Sequence, residues 1–180
     1  MRTKDNIKLD GGSYMNFKYA LNNVSIRKTT EADLDFVIAA ENAEENSQHV
    51  AQWTREQHIA AFYNEDILHA IIEADGKSAG YAITAGLQDA NKAIELRRIV
   101  IVEKGMGLGR AAVQLIKKLA FEEFKAHRLW LDVREYNIRA RNLYKAIGFV
   151  EEGYIRECIL LDNKYVSHYI MSILEQEYKA

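Results

Sequence analysis

Three glycines alternate in the stretch EKGMGLGRAAVQLI, at Gly105, Gly107 and Gly109. They follow the apolar run Ile99–Val102 and precede a helical pattern that begins near Leu108. The first amide groups of a helix lack intrahelical partners and carry a partial positive charge, so they bind anions. Glycines leave this backbone uncovered, and Lys104 and Arg110 add a cation on each side. The spacing predicts a site for phosphate or pyrophosphate.

Two other interpretations of the glycine turn remain open. Glycines also permit a sharp strand-to-helix turn without any ligand, although a single glycine is enough for that. The segment Gly107-x-Gly109-x-x-Ala112 matches a dinucleotide-binding fingerprint, with Asp132 near the place of a ribose-binding acid. That fingerprint normally opens a doubly wound parallel sheet, whereas the strands predicted before this turn form an antiparallel meander. The hypothesis of a nucleotide-binding regulatory domain is therefore supported by the glycines alone.

The composition argues against several classes of protein. The chain has 180 residues, 48% hydrophobic and 28% charged, with a net charge of −2, which fits one globular domain. No basic stripe indicates nucleic acid, and no apolar stretch is long enough to cross a membrane. Cys158 is the single cysteine, and no Cys/His cluster has metal-site spacing. We expect a cytoplasmic protein without a metal, in which Cys158 is buried in its apolar run.

Hydrophobic periodicity and turn signals divide the chain into an arm, a domain and a tail. Residues 1–23 show little periodicity and are expected to be a poorly ordered arm, residues 24–174 form the domain, and residues 175–180 are a tail. The predicted strands are Val24–Lys28, Asp66–Glu73, Ser78–Leu87, Ala93–Ile101, Arg128–Val133, Val150–Leu161 and Lys164–Leu174. The predicted helices are Thr30–Glu41, Thr54–Phe62, Gly107–Lys125 and Ile138–Ala146, and the polar residues between the first two predict a loop or broken helix.

The connections between these elements predict the sheet. The strands between residues 66 and 101 are joined too closely for crossover helices, so they form an antiparallel meander. A helix then separates Ala93–Ile101 from Arg128–Val133, which returns parallel to it. The order predicts an α+β domain with a mixed, mostly antiparallel sheet and flanking helices.

Two motifs stand in a fixed order on these elements. Lys104–Gly109 is similar to Q/R-x-x-G-x-G/A at the start of a helix, with lysine in the first place. Asp132–Phe149 is similar to a strand followed by N-x-x-A-x-x-L-Y-x-x-x-G-F. With these motifs the chain from Val24 to Leu174 resembles the GCN5-related N-acetyltransferases, and its last strands resemble the branch that includes ribosomal-protein N-terminal acetyltransferases.

The resemblance implies acetyl-CoA as the donor, bound where the central strands splay apart. Its pyrophosphate would lie on the amides of the glycine turn, and its pantetheine arm would bond to the open edge of the preceding strand, with Asn137 on the other side. The implied contact residues are Ile99, Val100, Ile101, Lys104, Gly105, Met106, Gly107, Leu108, Gly109, Arg110, Asn137, Ala140 and Tyr144.

The reaction of the family is the attack of an amine on a thioester. Tyr144 matches the family's general acid, which would protonate the departing thiolate; the alternative is an aromatic core residue. Glu95 lies near the place of a catalytic glutamate in some members, and strand alternation puts it on one face with Arg97 and Ile99. It would be the base or, alternatively, a solvated carboxylate, while Arg97 and Arg98 would form ion pairs.

The acceptor implied by the resemblance is a primary amine that attacks the thioester directly. A small polyamine-like or amino-acid-like amine and a protein or peptide N-terminus are both compatible with the sequence. Three acidic residues in the variable loop would suit a cationic amine: Glu41, Glu44 and Glu45. A non-catalytic acyl-CoA sensor is the alternative from another class of protein, and a homodimer is a further expectation. His58 and His69 look isolated, with nothing that pairs them as ligands.

Overall fold

The computed structural model describes residues 18–21 and 23–179. Within them, one eight-stranded sheet has the order β1-β2-β3-β4-β5-β6-β8-β7. The strands are β1 Lys18–Leu21, β2 Val24–Lys28, β3 Ile67–Ala74, β4 Lys77–Ala85, β5 Ala93–Ile101, β6 Arg128–Arg134, β7 Val150–Leu161 and β8 Lys164–Leu174. Neighbouring strands are antiparallel except for β5 and β6, which are parallel. The predicted mixed, mostly antiparallel sheet is confirmed.

Helices lie on both faces of this sheet. In the described part of the chain they are α1 Leu34–Asn42, α2 Glu44–Ser47, α3 Arg55–Phe62, α4 Leu108–Lys118, α5 Ile138–Ala146 and α6 Glu175–Lys179. A 3₁₀ turn precedes α1, and a π-helical turn at Leu119–Glu123 continues α4. The break between α1 and α2 confirms the predicted broken helix.

Two apolar clusters hold the helices against the sheet. The larger one joins the buried face of α4, including Ala112, Val113 and Ile116, to the β2 side of the sheet and to β6 and β8. The smaller one packs Val37 and Ala40 of α1 against the opposite face of β3, β4 and β5. The sheet is therefore covered on both faces around β4 and β5.

Local sequence signals account for several element ends. The Thr54 side chain accepts a hydrogen bond from the Gln57 amide at 3.3 Å, and the Gln57 side chain accepts one from the Thr54 amide at 2.8 Å, so the predicted capping box begins α3. The β3–β4 hairpin turns at Asp75 and Gly76, whose φ angles of 50° and 77° are those of a tight hairpin.

The sheet opens between β5 and β6. These two strands are paired over three residues only, Ala93 with Arg128, Ile94 with Leu129 and Glu95 with Trp130. Beyond them, β5 continues along β4 while β6 continues along β8. The backbone of Leu96–Ile101 therefore has no strand on its β6 side in the described residues.

A bulge in β5 corrects one expectation about Glu95. The register along β4 shifts between Ile83, which is opposite Arg98, and Thr84, which is opposite Leu96. Arg97 is the extra residue, and an extra residue reverses the alternation of side chains beyond it. Glu95 and Ile99 consequently lie on opposite faces of the sheet, not on the same face.

Three further expectations were wrong in part. Lys18–Leu21, assigned to the arm, pairs with β2 as an edge strand, while residues 1–17 lie outside the described residues. Glu175–Lys179, assigned to the tail, is the short helix α6. Cys158 is exposed and not buried, because β7 is the outer strand of the sheet and is exposed along most of its length.

Candidate active site

The opening between β5 and β6 forms a cleft of about 710 Å³. Most of the residues singled out in the sequence line it together: Glu95, Ile99, Val100, Ile101, Lys104, Gly105, Gly107, Leu108, Gly109, Arg110, Asn137, Ala140 and Tyr144. Met106 does not line it and is 66% exposed. The cleft lies at the carboxyl ends of two diverging parallel strands, beside the first turns of α4 and α5.

The glycine turn presents bare backbone to this cleft. Gly105 and Gly107 have φ angles of 89° and 76°, which L side chains rarely adopt, and a Cβ at either position would meet no atom within 4 Å. Gly107 is the N-cap of α4 and offers no side-chain cap. The amides of Leu108, Gly109 and Arg110 are thus the unpaired first donors of an eleven-residue helix. Both the backbone and the open space suit an oxyanion.

The two flanking cations have different surroundings. Lys104 donates hydrogen bonds to the Asn46 side chain of α2 and to the Ile101 carbonyl, the latter at 2.6 Å. Burial lowers the pKa of Lys104, a change that nearby Glu45 opposes. Arg110 is exposed and reaches the Ala146 carbonyl at 3.5 Å. Lys104 therefore ties the turn to α2, whereas Arg110 stays at the solvent side of the cleft.

Tyr144 is buried at the inner end of the cleft. It is 6% exposed, and its hydroxyl forms no hydrogen bond within residues 18–21 and 23–179. Burial, followed by the charge of Asp132, raises the pKa of this phenol well above its ordinary value. The hydroxyl thus keeps its proton at neutral pH and is free to donate it to a ligand.

Glu95 lines the cleft, but its carboxylate is already engaged. Its Oε2 accepts two hydrogen bonds from the Arg97 guanidinium, at 2.9 and 2.7 Å. Arg98, as expected, also forms an ion pair, with Glu41. The Arg97 guanidinium therefore occupies one oxygen of the carboxylate that the sequence offered as the base.

Asn137 caps α5 in addition to lining the cleft. Its Oδ1 accepts a hydrogen bond from the Ala140 amide at 3.2 Å, which caps the N-terminus of α5. This cap begins the helix that carries Tyr144, so Asn137 helps to set the position of the phenol.

The structure adds cleft residues that the sequence did not single out for catalysis. They are His49, Asp132, Arg134 and His168. His168 lies in β8, and its Nδ1 donates a hydrogen bond to the Asp132 carboxylate of β6 at 2.6 Å. A histidine in a largely buried strand was the available signal, but its pairing with Asp132 depends on the β6–β8 register.

A buried network next to the cleft corrects the expectations for Glu41, His58 and His69. Glu41 is fully buried and accepts hydrogen bonds from Arg98, from Tyr81 at 2.6 Å and from the Trp53 amide at 2.9 Å. His58 contacts both Glu41, at 3.3 Å, and His69, at 3.1 Å. Glu41 therefore cannot meet an acceptor, and the two histidines are paired.

The network has one fully satisfied arrangement with both imidazoles neutral. Thr29 donates to His69 Nδ1 at 2.8 Å, His69 Nε2 donates to His58 Nδ1, and His58 Nε2 donates to Glu41. The network holds α1 and α3 against β5 behind the cleft. Of the other loop carboxylates, Glu45 lines the cleft and Glu44 does not.

We expect acid to destabilise the protein through His69. Burial, reinforced by the charge of Arg98, lowers the pKa of His69 to about 3. An unfolded histidine titrates near ~6.5, so between these values the unfolded chain binds more protons. Stability is therefore complete above pH ~6.5 and is lost as the pH falls towards 3. Urea unfolding should show a loss of about 1–2 kcal/mol between pH 7 and pH 5.

Two variants test this pH dependence. His69→Gln should be less stable at pH 7 by about 1–3 kcal/mol, since a buried hydrogen bond is disturbed, but its stability should vary less with pH. His127→Gln, at an exposed position, should keep the wild-type dependence. An unchanged slope in His69→Gln would show that other groups cause the loss.

Comparison with known proteins identifies the class to which this site belongs. The sequence profile described as "Acetyltransferase (GNAT) family" matches residues 34–149. The chain belongs to this family and is an acetyl-CoA-dependent N-acetyltransferase. The dinucleotide interpretation of the glycines is thereby set aside, since the sheet is not doubly wound.

Several proteins similar to this chain have names that refer to spermidine. The chain is 24% identical over 168 residues to spermidine N(1)-acetyltransferase of Escherichia coli (strain K12), covering 87% of this chain and 89% of the relative. A crystal structure of spermidine N-acetyltransferase from Vibrio cholerae with CoA and spermine has a TM-score of 0.81 at 20% identity, covering 89% and 100%. A dodecameric structure of that enzyme has a TM-score of 0.76 at 19% identity, covering 88% and 97%. These relatives do not support the expected ribosomal-protein branch.

Two further features are absent from residues 18–21 and 23–179. No helix there is long and apolar enough to cross a membrane. No group of three or more His, Cys, Asp or Glu side chains in the same residues could hold a metal ion.

Proposed function

We propose that this N-acetyltransferase moves the acetyl group of acetyl-CoA to a primary amine of a small, polyamine-like molecule. The observation that carries the proposal is the opened seam between β5 and β6, which joins an uncapped helix start to a buried phenol in one cleft. An extended chain with alternating amide donors and acceptors, such as pantetheine, matches the free edge of Ile99–Ile101. The relatives named for spermidine support the acceptor class.

The donor fits the residues of the glycine turn. The amides of Gly105–Arg110 would hold the pyrophosphate, with Lys104 and Arg110 as the nearby cations. Asn137 and Ala140 would border the pantetheine arm on the other side. The thioester would then lie near Tyr144, whose hydroxyl would donate its proton to the departing sulfur.

Two carboxylates in the cleft would attract a cationic acceptor, beside Arg134 and Arg139, which also line it. Arg97 and Arg98 are held by Glu95 and Glu41, so neither presents an unpaired cation. Glu45 is exposed at the cleft, and the Asp132 side chain is 40% exposed. These two carboxylates are available to ammonium groups. A cationic amine should therefore be a better acceptor than an uncharged one.

A panel of amines tests the acceptor class. Release of CoA thiol should be fastest with spermidine and other di- or polyamines, and at least about tenfold slower with peptides that have a free N-terminus, roughly 1.4 kcal/mol in transition-state binding. Glu45→Gln should raise the KM for spermidine by about 2–5-fold, as expected for a partly exposed ion pair. Glu44→Gln, outside the cleft, is the matched control.

The same assay separates the alternatives. Faster turnover of peptides would favour an N-terminal acetyltransferase instead. Binding of acetyl-CoA without thiol release for any amine or peptide would favour the sensor. The expected homodimer stays a prediction, and it concerns assembly and not the cleft.

A further inference from the structure

Asp132 and His168 form a pair inside the cleft. Arg134 is opposite His168 in the β6–β8 register and Asp132 is opposite Ile170, so Asp132 and His168 are diagonal neighbours on one face of the sheet. Asp132 Oδ2 lies 2.6 Å from His168 Nδ1. A carboxylate only accepts hydrogen bonds, so the ring proton is on Nδ1.

The other ring nitrogen is left for a ligand. His168 is 5% exposed, and its Nε2 is buried with no hydrogen-bond partner in residues 18–21 and 23–179. With the proton on Nδ1, Nε2 carries a lone pair and can only accept. A buried acceptor without a partner is energetically costly. A donor from a bound molecule, such as an ammonium group, would remove that cost.

The pair adjoins the proposed acid. The charge of Asp132 acts on Tyr144, and all three residues line the cleft. The titratable and charged groups on the elements around His168 include Asp132, Arg134, Glu135, Tyr144, Tyr154 and, from the segment after α2, His49. The paired strand β7 also carries Glu151, Glu152, Arg156 and Glu157. Of these, Arg134 donates to the Gln48 carbonyl and to Tyr136, and Glu135 accepts from the Ser167 amide and from Tyr154. Asp132 alone contacts the imidazole through a hydrogen bond among the described residues.

His49 is the other cleft histidine with a buried, unpartnered nitrogen, and it is less suited to accept a proton. Burial, followed by the charges of Arg134 and Lys104, lowers the pKa of His49. Two cations oppose the protonation of His49, whereas the side chain in contact with His168 is the Asp132 carboxylate. The two histidines therefore differ in the sign of the charge beside them.

We propose that His168, oriented by Asp132, is the base that takes the proton of the acceptor amine. The proposal rests on the proposed function and places this step on His168 instead of Glu95. The ammonium group gives one proton to Nε2, the free amine attacks the thioester carbon, and a C–N bond forms as the C–S bond breaks. Tyr144 gives its proton to the sulfur and regains one from the attacking nitrogen. His168 later releases its proton to water, so one proton is produced for each amide.

Substitution of the pair tests the proposal. His168→Gln should lower kcat/KM for spermidine by about 10²-fold or more, the usual effect of losing a positioned base. Wild-type kcat/KM should rise with pH and level off once the base is free, whereas the variant should keep rising to the pKa of the amine. Asp132→Asn, at a more exposed position, should lower kcat/KM by about tenfold or more while the protein stays folded. Asp132 acts as a positioning residue, because it orients the ring.

Controls distinguish a failure of the proposed role of His168 from a failure of the proposed function. His127→Gln should keep the wild-type rate and pH profile, and melting temperature and CoA affinity should show that each variant is folded. A wild-type profile in both His168→Gln and Asp132→Asn, with wild-type turnover of spermidine intact, would overturn the role of the pair and leave the proposed function standing. Loss of the pH dependence in Glu95→Gln instead would assign the base to Glu95. A wild-type protein that turns over no amine would contradict both proposals.

Discussion

Tyr144→Phe is expected to lower turnover by roughly 10²-fold or more, with KM and acetyl-CoA affinity nearly unchanged. The phenol is buried, protonated and without a hydrogen-bond partner among the described residues, so its hydroxyl contributes little to the fold. Phenylalanine keeps the ring and its packing against Phe149. A loss confined to kcat would mark an interaction made in the transition state. Steady-state kinetics with spermidine, beside calorimetry with acetyl-CoA, measures both quantities.

Tyr178→Phe provides the matched control. It removes the same hydroxyl from a tyrosine that stacks on Phe121 and donates to Glu122, away from the cleft. This control should retain the wild-type rate. If Tyr144→Phe also turns over spermidine at the wild-type rate, Tyr144 is a core residue and another group protonates the departing sulfur.

Gly107→Glu is expected to weaken the binding of acetyl-CoA severely. The substitution puts a carboxylate at the start of α4, where the pyrophosphate is proposed to lie, and forces a side chain onto a φ of 76°. Each charge-assisted hydrogen bond contributes about 1.5–3 kcal/mol, so losing two would weaken binding by roughly 10²-fold or more. Calorimetric titration with acetyl-CoA measures the change.

Gly76→Glu is an unusually close control for this variant. Gly76 has a φ of 77° and, like Gly107, open space where a Cβ would be, but it lies in the β3–β4 hairpin. Both variants carry the same backbone strain, about 1–2 kcal/mol, and the same charge. Equal affinities of the two for acetyl-CoA would place the pyrophosphate elsewhere.

Features encoded by neighbouring residues were predictable from the sequence. The capping box of Thr54 and Gln57, the hairpin at Asp75–Gly76 and the glycine turn depend on residues a few positions apart. The strand that the sequence did not reveal, Lys18–Leu21, is short and mostly exposed, so it has no alternating apolar pattern. Its place in the sheet comes from pairing with β2, which local periodicity does not report.

The parts of the site that lie within sequence motifs were predictable. The contacts that depend on the register between strands were not. Glu41 meets Tyr81 and Arg98 across sequence separations of 40 and 57 residues, and Asp132 meets His168 across 36. These contacts depend on which strands pair and in what register. The bulge at Arg97 shows the same dependence, because one extra residue moved Glu95 to the other face from Ile99.

The short ladder between β5 and β6 has a mechanical consequence. The sheet consists of two plates, β1–β5 and β6–β8, which meet edge to edge over three residue pairs. The glycine turn extends from the first plate, while Asp132 and His168 belong to the second. The three-pair ladder is a narrow hinge, and the larger apolar cluster, which includes residues of both plates, also holds them together. The distance between a donor bound at the glycine turn and the proposed base therefore depends on the angle between the plates. Packing changes at Ile94 or Leu129, which form part of that hinge, would alter the catalytic spacing without touching a reacting group.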